Sequence, residues 1–178
     1  MKLIVLIALS LLPLFALCQN NPGQNVFIYL EGNREDYIYQ AKELLTQFDD
    51  KKGQFEFWLP LNLVTPKKAA TDNQMINNVL GRTNDYVFKL SVLLSESVNL
   101  KEFKSPERFA LDGLLQIAGQ QLEVPVHMTL MSSGNSLFYK LSFEVFMEDI
   151  PLTYRDVLTG QMVFIVKQSV WKDFFLTN

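Results

Sequence analysis

Apolar residues recur at every second position in segment after segment of this chain, and that alternation constrains its fold more than any other feature. Phe55, Phe57, Leu59 and Leu61 fall on one phase, with Gln54 and Glu56 on the other. Tyr86, Phe88, Leu90, Val92 and Leu94 repeat the pattern, followed by Phe109, Leu111, Gly113, Leu115 and Ile117. The same spacing continues in Leu122, Val124, Val126, Met128 and Leu130, in Leu137, Tyr139, Leu141, Phe143, Val145 and Met147, and in Met162, Phe164 and Val166. A strict period of two means strands with one buried and one wet face. Shorter runs over residues 26–31 and 36–45 complete a set of about eight strands. Turn chemistry separates them: Gly32-Asn33-Arg34, the polar run 49–53 ending in Gly53, Ala118-Gly119-Gln120 and Ser132-Ser133-Gly134-Asn135. Sequential hairpins give an antiparallel meander. A meander of this size closes into a barrel or folds into a sandwich, because open edges invite aggregation.

One segment departs from the period. Over residues 66–81, Met75, Ile76, Val79 and Leu80 share a helical face, with Thr71 or Asp72 to cap its start and Gly81 to end it. This helix interrupts the strands and is expected to cover one end of the barrel. The stretch 148–160, with Pro151, is the other long connection.

The N-terminus has its own logic. Met1-Lys2 is followed by an apolar run over 3–17, broken by Ser10 and Pro13 and shorter than a membrane span. It reads as a secretory signal peptide cleaved before Gln19, with Ala16 and Cys18 as the small residues of the cleavage site. The rival is a lipoprotein acylated at Cys18, disfavoured by the large Leu17 before it. The expected organisation is a signal peptide at 1–18, a polar leader at 19–25, a β-barrel domain at 26–170 and a C-terminal tail at 171–178.

The chemistry-bearing residues are few. With one His and one Cys in 178 residues, a zinc site, a disulfide framework and a Cys–His nucleophile pair are close to excluded. A net charge of −3 argues against an electrostatic nucleic-acid binder. His127 falls on the polar phase of its strand. The acid pairs Glu35-Asp36, Asp49-Asp50 and Glu148-Asp149 lie in or beside turns, where solvated carboxylates are the rule; no calcium-loop pattern, phosphate loop or nucleophile elbow occurs. The expectation is a protein that is not an enzyme and carries no metal or cofactor. The apolar inventory says more. Phe55, Phe57, Tyr86, Phe88, Phe109, Tyr139, Phe143 and Phe164 share the inward phase. An eight-stranded barrel can fill with such side chains or hold a small ligand, and alternation alone does not separate the two.

A resemblance separates them. The run Asp50-Lys51-Lys52-Gly53-Gln54-Phe55-Glu56-Phe57-Trp58-Leu59-Pro60-Leu61 is similar to the G-x-F-x-F-x-I-P-I pattern of the YceI-like family of secreted lipid- or polyisoprenoid-binding proteins. Gly113-Leu114-Leu115-Gln116-Ile117-Ala118-Gly119, with the strand Leu122-Glu123-Val124-Pro125-Val126, resembles that family's G-x-L-x-I-H-G hairpin; Glu35-Asp36-Tyr37-Ile38 and the helix around Met75 fall in the same order. Ala118 stands where the family has His, and Asp85-Tyr86 where it has Tyr-Pro. The resemblance implies an all-β, lipocalin-like antiparallel barrel with one short inserted helix. It also implies an exported, non-catalytic protein, periplasmic or secreted, that holds an isoprenoid or other lipid chain in its interior. The residues then expected to line the pocket are Phe55, Phe57, Leu59, Met75, Val79, Tyr86, Phe88, Leu90, Phe109, Tyr139 and Phe143. The alternative is a filled barrel acting as an interaction or scaffold module of the cell envelope.

Overall fold

The computed structural model describes residues 19–20, 26–32, 35–67, 85–94, 98–150 and 158–177. The expected signal peptide, most of the leader, Met75, Val79 and all but the first two residues of the expected 66–81 helix lie outside the described residues.

Among the described residues, eleven strands form one antiparallel sheet. They are β1 (Gln19–Asn20), β2 (Val26–Gly32), β3 (Tyr37–Ala41), β4 (Leu45–Asp49), β5 (Gln54–Pro60), β6 (Val64–Pro66), β7 (Tyr86–Leu93), β8 (Glu107–Ile117), β9 (Gln120–Ser133), β10 (Ser136–Phe146) and β11 (Leu158–Trp171). The order across the sheet is β1-β4-β5-β7-β8-β9-β10-β11-β2-β3-β6. The excess over eight has a simple origin. The run expected over 36–45 ends early as β3, Leu44 is fully buried at the corner that follows, and β4 begins only at Leu45, so that β4 and the short edges β1 and β6 are the three strands added.

Chain connections force the sheet to curl. β3 lies second from one edge and β4 second from the other, yet residues 42–44 alone join them. Likewise β5, third from one edge, reaches β6 at the opposite edge through the single turn Leu61–Leu63. Links this short span about 10–15 Å at most. The two edges must therefore meet, and the sheet closes into a barrel whose seam is made by these crossings rather than by a hydrogen-bonded ladder.

Alternation then decides what fills it. Along β5, Phe55, Phe57 and Leu59 are fully buried while the side chains between them are half-buried, so Phe57 faces in and Glu56 out. The inward residues of β9 (Val124, Val126, Met128, Leu130), β10 (Leu137, Tyr139, Leu141, Phe143, Val145) and β11 (Met162, Phe164, Val166) are all buried. Register pins these faces, because a one-residue slip would expose every one of them.

The two ends differ. One end carries the 49–54 and 133–136 hairpins and is closed by the C-terminal helix α1 (Phe174–Thr177). Phe174 is 2% exposed; its ring lies 5.5 Å from Phe48, 6.5 Å from Phe55 and 4.9 Å from Trp171, and Phe175 N donates to Asn135 O. The stretch read from sequence as a tail is thus a plug in the core. The opposite end, the mouth, carries the 118–119 hairpin, the start of β7, the turn after β2 and the end of β10.

Candidate functional site

Seven of the expected pocket residues meet in the barrel interior: Phe55, Phe57 and Leu59 from β5, Phe88 and Leu90 from β7, Tyr139 and Phe143 from β10, none more than 2% exposed. They touch one another across the lumen. The Phe57 and Tyr139 ring centroids are 5.7 Å apart, and Phe88 lies 5.1 Å from Phe143 and 5.0 Å from Phe164, both edge-on. Phe143 and Phe164 stack at 4.7 Å. These separations and tilts are those of favourable aromatic pairs. The triad Phe88, Phe143 and Phe164 occupies the mouth half of the lumen.

Two residues are placed differently from the expectation. Tyr86 was expected to share the inward phase of Phe88. The β5–β7 ladder shifts between Leu59↔Phe88 and Pro60↔Tyr86, so Val87 is an extra residue in β7. That bulge lets Val87 and Phe88 both enter the core, at 0% and 1% exposed, and throws Tyr86 onto the rim. There its half-buried ring lies 4.8 Å from Lys89 Nζ. Phe109 is also only half-buried. β7 pairs with β8 over Gly113–Ile117 alone, so Phe109 sits beyond the reach of that ladder and packs 5.5 Å from Phe103 instead.

Polar groups in the interior are sparse and mostly paired. Thr46 Oγ1 and the Tyr139 hydroxyl are 2.9 Å apart, Ser132 Oγ donates to Leu100 O, and Ser169 Oγ donates to Lys167 O at 3.2 Å. Trp171 Nε1, beside the plug, is the exception among the described residues. His127 is exposed on the outer face of β9, opposite Ala110 and Ser142. Glu35, Asp36, Glu148 and Asp149 are exposed, and the Asp49 carboxylate accepts from Lys51 N and Lys52 N in the β4–β5 turn. No three His, Cys, Asp or Glu side chains among the described residues gather as a metal site would require. No described helix is long and apolar enough to cross a membrane.

Sequence reasoning missed two parts of this interior. Thr46 gave no signal, because a lone Thr in a five-residue strand has no pattern to break. Phe174 gave none because four helical residues are too few for periodicity.

At the mouth, a cleft of about 370 Å³ opens between the start of β7 and the β8–β9 hairpin. Phe88 and Ile117, paired across the ladder and almost fully buried, are its floor. Asp85, Tyr86, Lys89, Gln116, Gln120 and Gln121 supply its polar rim. A second cleft of about 430 Å³ lies at the other end, beside Phe174, Phe48 and Leu100.

No family model matches the sequence, and no curated protein matches it either. Solved structures do match in fold. A polyisoprenoid binding domain from Saccharophagus degradans, implicated in plant cell wall breakdown, superposes with a TM-score of 0.70 over 86% of this chain and 96% of its own, at 9% identity. BcnA of Burkholderia cenocepacia superposes with a TM-score of 0.62 over 84% of this chain and 96% of its own, at 10% identity. The fold implied by the YceI-like resemblance is the fold observed.

Proposed function

We propose that this chain is an exported, non-catalytic binding protein that holds a long apolar chain, a polyisoprenoid or another lipid, inside its barrel. The observation that supports this reading is the combination of a fold shared with a polyisoprenoid binding domain over most of both chains and a lumen walled almost entirely by apolar side chains. Burial supplies the affinity. At about 25 cal/mol per Å² of apolar surface removed from water, a long hydrocarbon needs no strong polar anchor. The described lumen is occupied by the Phe88, Phe143 and Phe164 triad, so a ligand entering from the mouth must part these rings. The proposal therefore includes their rotation on binding.

Extraction of the purified protein followed by mass spectrometry of any lipid, and titration of the delipidated protein with polyprenyl and fatty-acyl probes, tests the reading. Co-purifying lipid or saturable uptake supports it. The ring contacts themselves favour a second reading, a filled barrel serving as an interaction module of the cell envelope; no uptake by the delipidated protein selects it. Export is part of the proposal. The mature chain is expected to begin at Gln19, which N-terminal sequencing of protein from the envelope or medium checks. An acylated Cys18 would make it a lipoprotein instead.

A further inference from the structure

We infer that the free edge of β8 over residues 108–112 pairs with the same edge of a second copy of this chain, antiparallel and about a two-fold axis at Ala110. The inference goes beyond the carrier reading and holds for a filled lumen as well as for a loaded one.

β7 pairs with β8 only from Phe88↔Ile117 to Val92↔Gly113, whereas β8 continues along β9 as far as Glu107↔Leu130. One edge of β8 over residues 107–112 therefore lies beyond the end of β7. The register decides which backbone groups this edge presents. In an antiparallel ladder, facing residues alternate between pairs that exchange both hydrogen bonds and pairs that exchange none. Asp112 faces Pro125, which has no N–H, so this pair exchanges none. Leu94 N, donating to Gly53 O, and Ser132 N, donating to Phe103 O, point the way that the same parity requires. Arg108, Ala110 and Asp112 accordingly turn their N–H and C=O groups away from β9, into the gap left by β7. Nothing among the described residues bonds them there, and all of them are exposed. A row of open donors and acceptors of this kind is a template for another strand.

The side chains select that strand. With Ala110 facing its own copy, a second β8 sets Arg108 opposite Asp112 of the second copy, and Asp112 opposite its Arg108. Both lie on the outer face, and opposite charges directly across an antiparallel pair are favourable. Neither has an ion-pair partner among the described residues of the single chain. On the inner face the same register sets Phe109 opposite Leu111 of the second copy. Both are only half-buried in the single chain, so apolar surface remains for a partner to cover. A register shifted by two residues loses both charge pairs. In one direction Asp112 would face Pro106, and in the other Arg108 would face Leu114, whose edge Ser91 already occupies. Facing pairs at 108, 110 and 112 exchange two bonds each, about six in all. Because both copies use the same edge, the contact closes as a dimer and does not propagate.

Sedimentation velocity of the purified protein over a concentration series tests the inference. A short edge contact is expected to give a monomer–dimer equilibrium with a Kd of about 1–100 µM. Arg108→Asp and Asp112→Arg each place like charges face to face, and each should weaken dimerisation by at least about tenfold. The double swap Arg108→Asp/Asp112→Arg should restore it. Both positions are exposed, and circular dichroism confirms that each variant is folded. A monomer at every concentration overturns the inference and leaves the edge to an extended segment of a different protein. A dimer that the single reversals leave intact, or whose loss the double swap does not rescue, also overturns it, because the two copies then meet elsewhere.

Discussion

Thr46 Oγ1 and the Tyr139 hydroxyl lie 2.9 Å apart across the lumen, joining strands that stand five places apart in the sheet and residues 93 positions apart in sequence. Both side chains are buried, at 0% and 1% exposed. The bond fixes the wall formed by β4, near the seam, against β10 on the far side.

Replacing Thr46 by Val keeps the shape and removes this bond. The expected loss is about 1 kcal/mol. Combining Thr46→Val with Tyr139→Phe should cost less than the two single losses together, with a coupling energy of about 0.5–1.5 kcal/mol. Urea unfolding of the four proteins in the cycle measures it. Strict additivity would mean that the two hydroxyls do not interact in solution.

Phe88 is the hinge of the ring triad. Phe88→Ala should destabilise the lipid-free protein by about 3–5 kcal/mol, since the ring is 1% exposed and touches both Phe143 and Phe164. A loss well under that range would show that the ring faces empty space in solution. Lipid uptake measured on the same variant should fall, because the ring also lines the path from the mouth.

At the plug, two neighbours should behave oppositely. Phe174→Ala is expected to cost about 3–5 kcal/mol, because Phe174 packs among Phe48, Phe55 and Trp171. Leu176→Ser should change stability by no more than about 0.5 kcal/mol, because Leu176 is 67% exposed. Thermal unfolding of both variants tests the contrast; similar effects would mean that α1 does not close the barrel.

Gly113 is a packing glycine. A Cβ built there would lie 2.6 Å from Val126 Cγ2 and 2.8 Å from Leu90 Cδ1. Gly113→Ala should therefore overpack the junction of β7, β8 and β9 and cost about 1–3 kcal/mol. A neutral substitution, measured by denaturant titration, would show that Leu90 and Val126 have room to move.

The strands and their faces were legible in the sequence because a side chain's direction in a strand is fixed by parity alone. That is why Phe55, Phe57, Phe88, Leu90, Tyr139 and Phe143 could be assigned inward, and why the hairpins at Gly53, Gly119 and Gly134, all with positive φ, could be placed. Parity carries no information about bulges, strand ends or closure. The extra residue Val87 moved Tyr86 to the rim, and the end of the β7–β8 ladder left Phe109 half-buried against Phe103. Both depend on what the neighbouring strand does, which a local pattern does not encode.

Residue parity and turn chemistry are enough to specify an antiparallel β structure with a strongly aromatic inner face. That residues 42–44 and the Leu61–Leu63 turn draw the two sheet edges together, that Phe174 closes one end, and that Gln116, Gln120 and Gln121 gather with Tyr86 at the other emerge only in the folded barrel. The difference is one of range. Alternation records each strand's preference for water or core within a few residues. Closure, plugging and the mouth cleft are contacts between segments far apart in sequence, made only when all the strands bury their apolar faces in the same place.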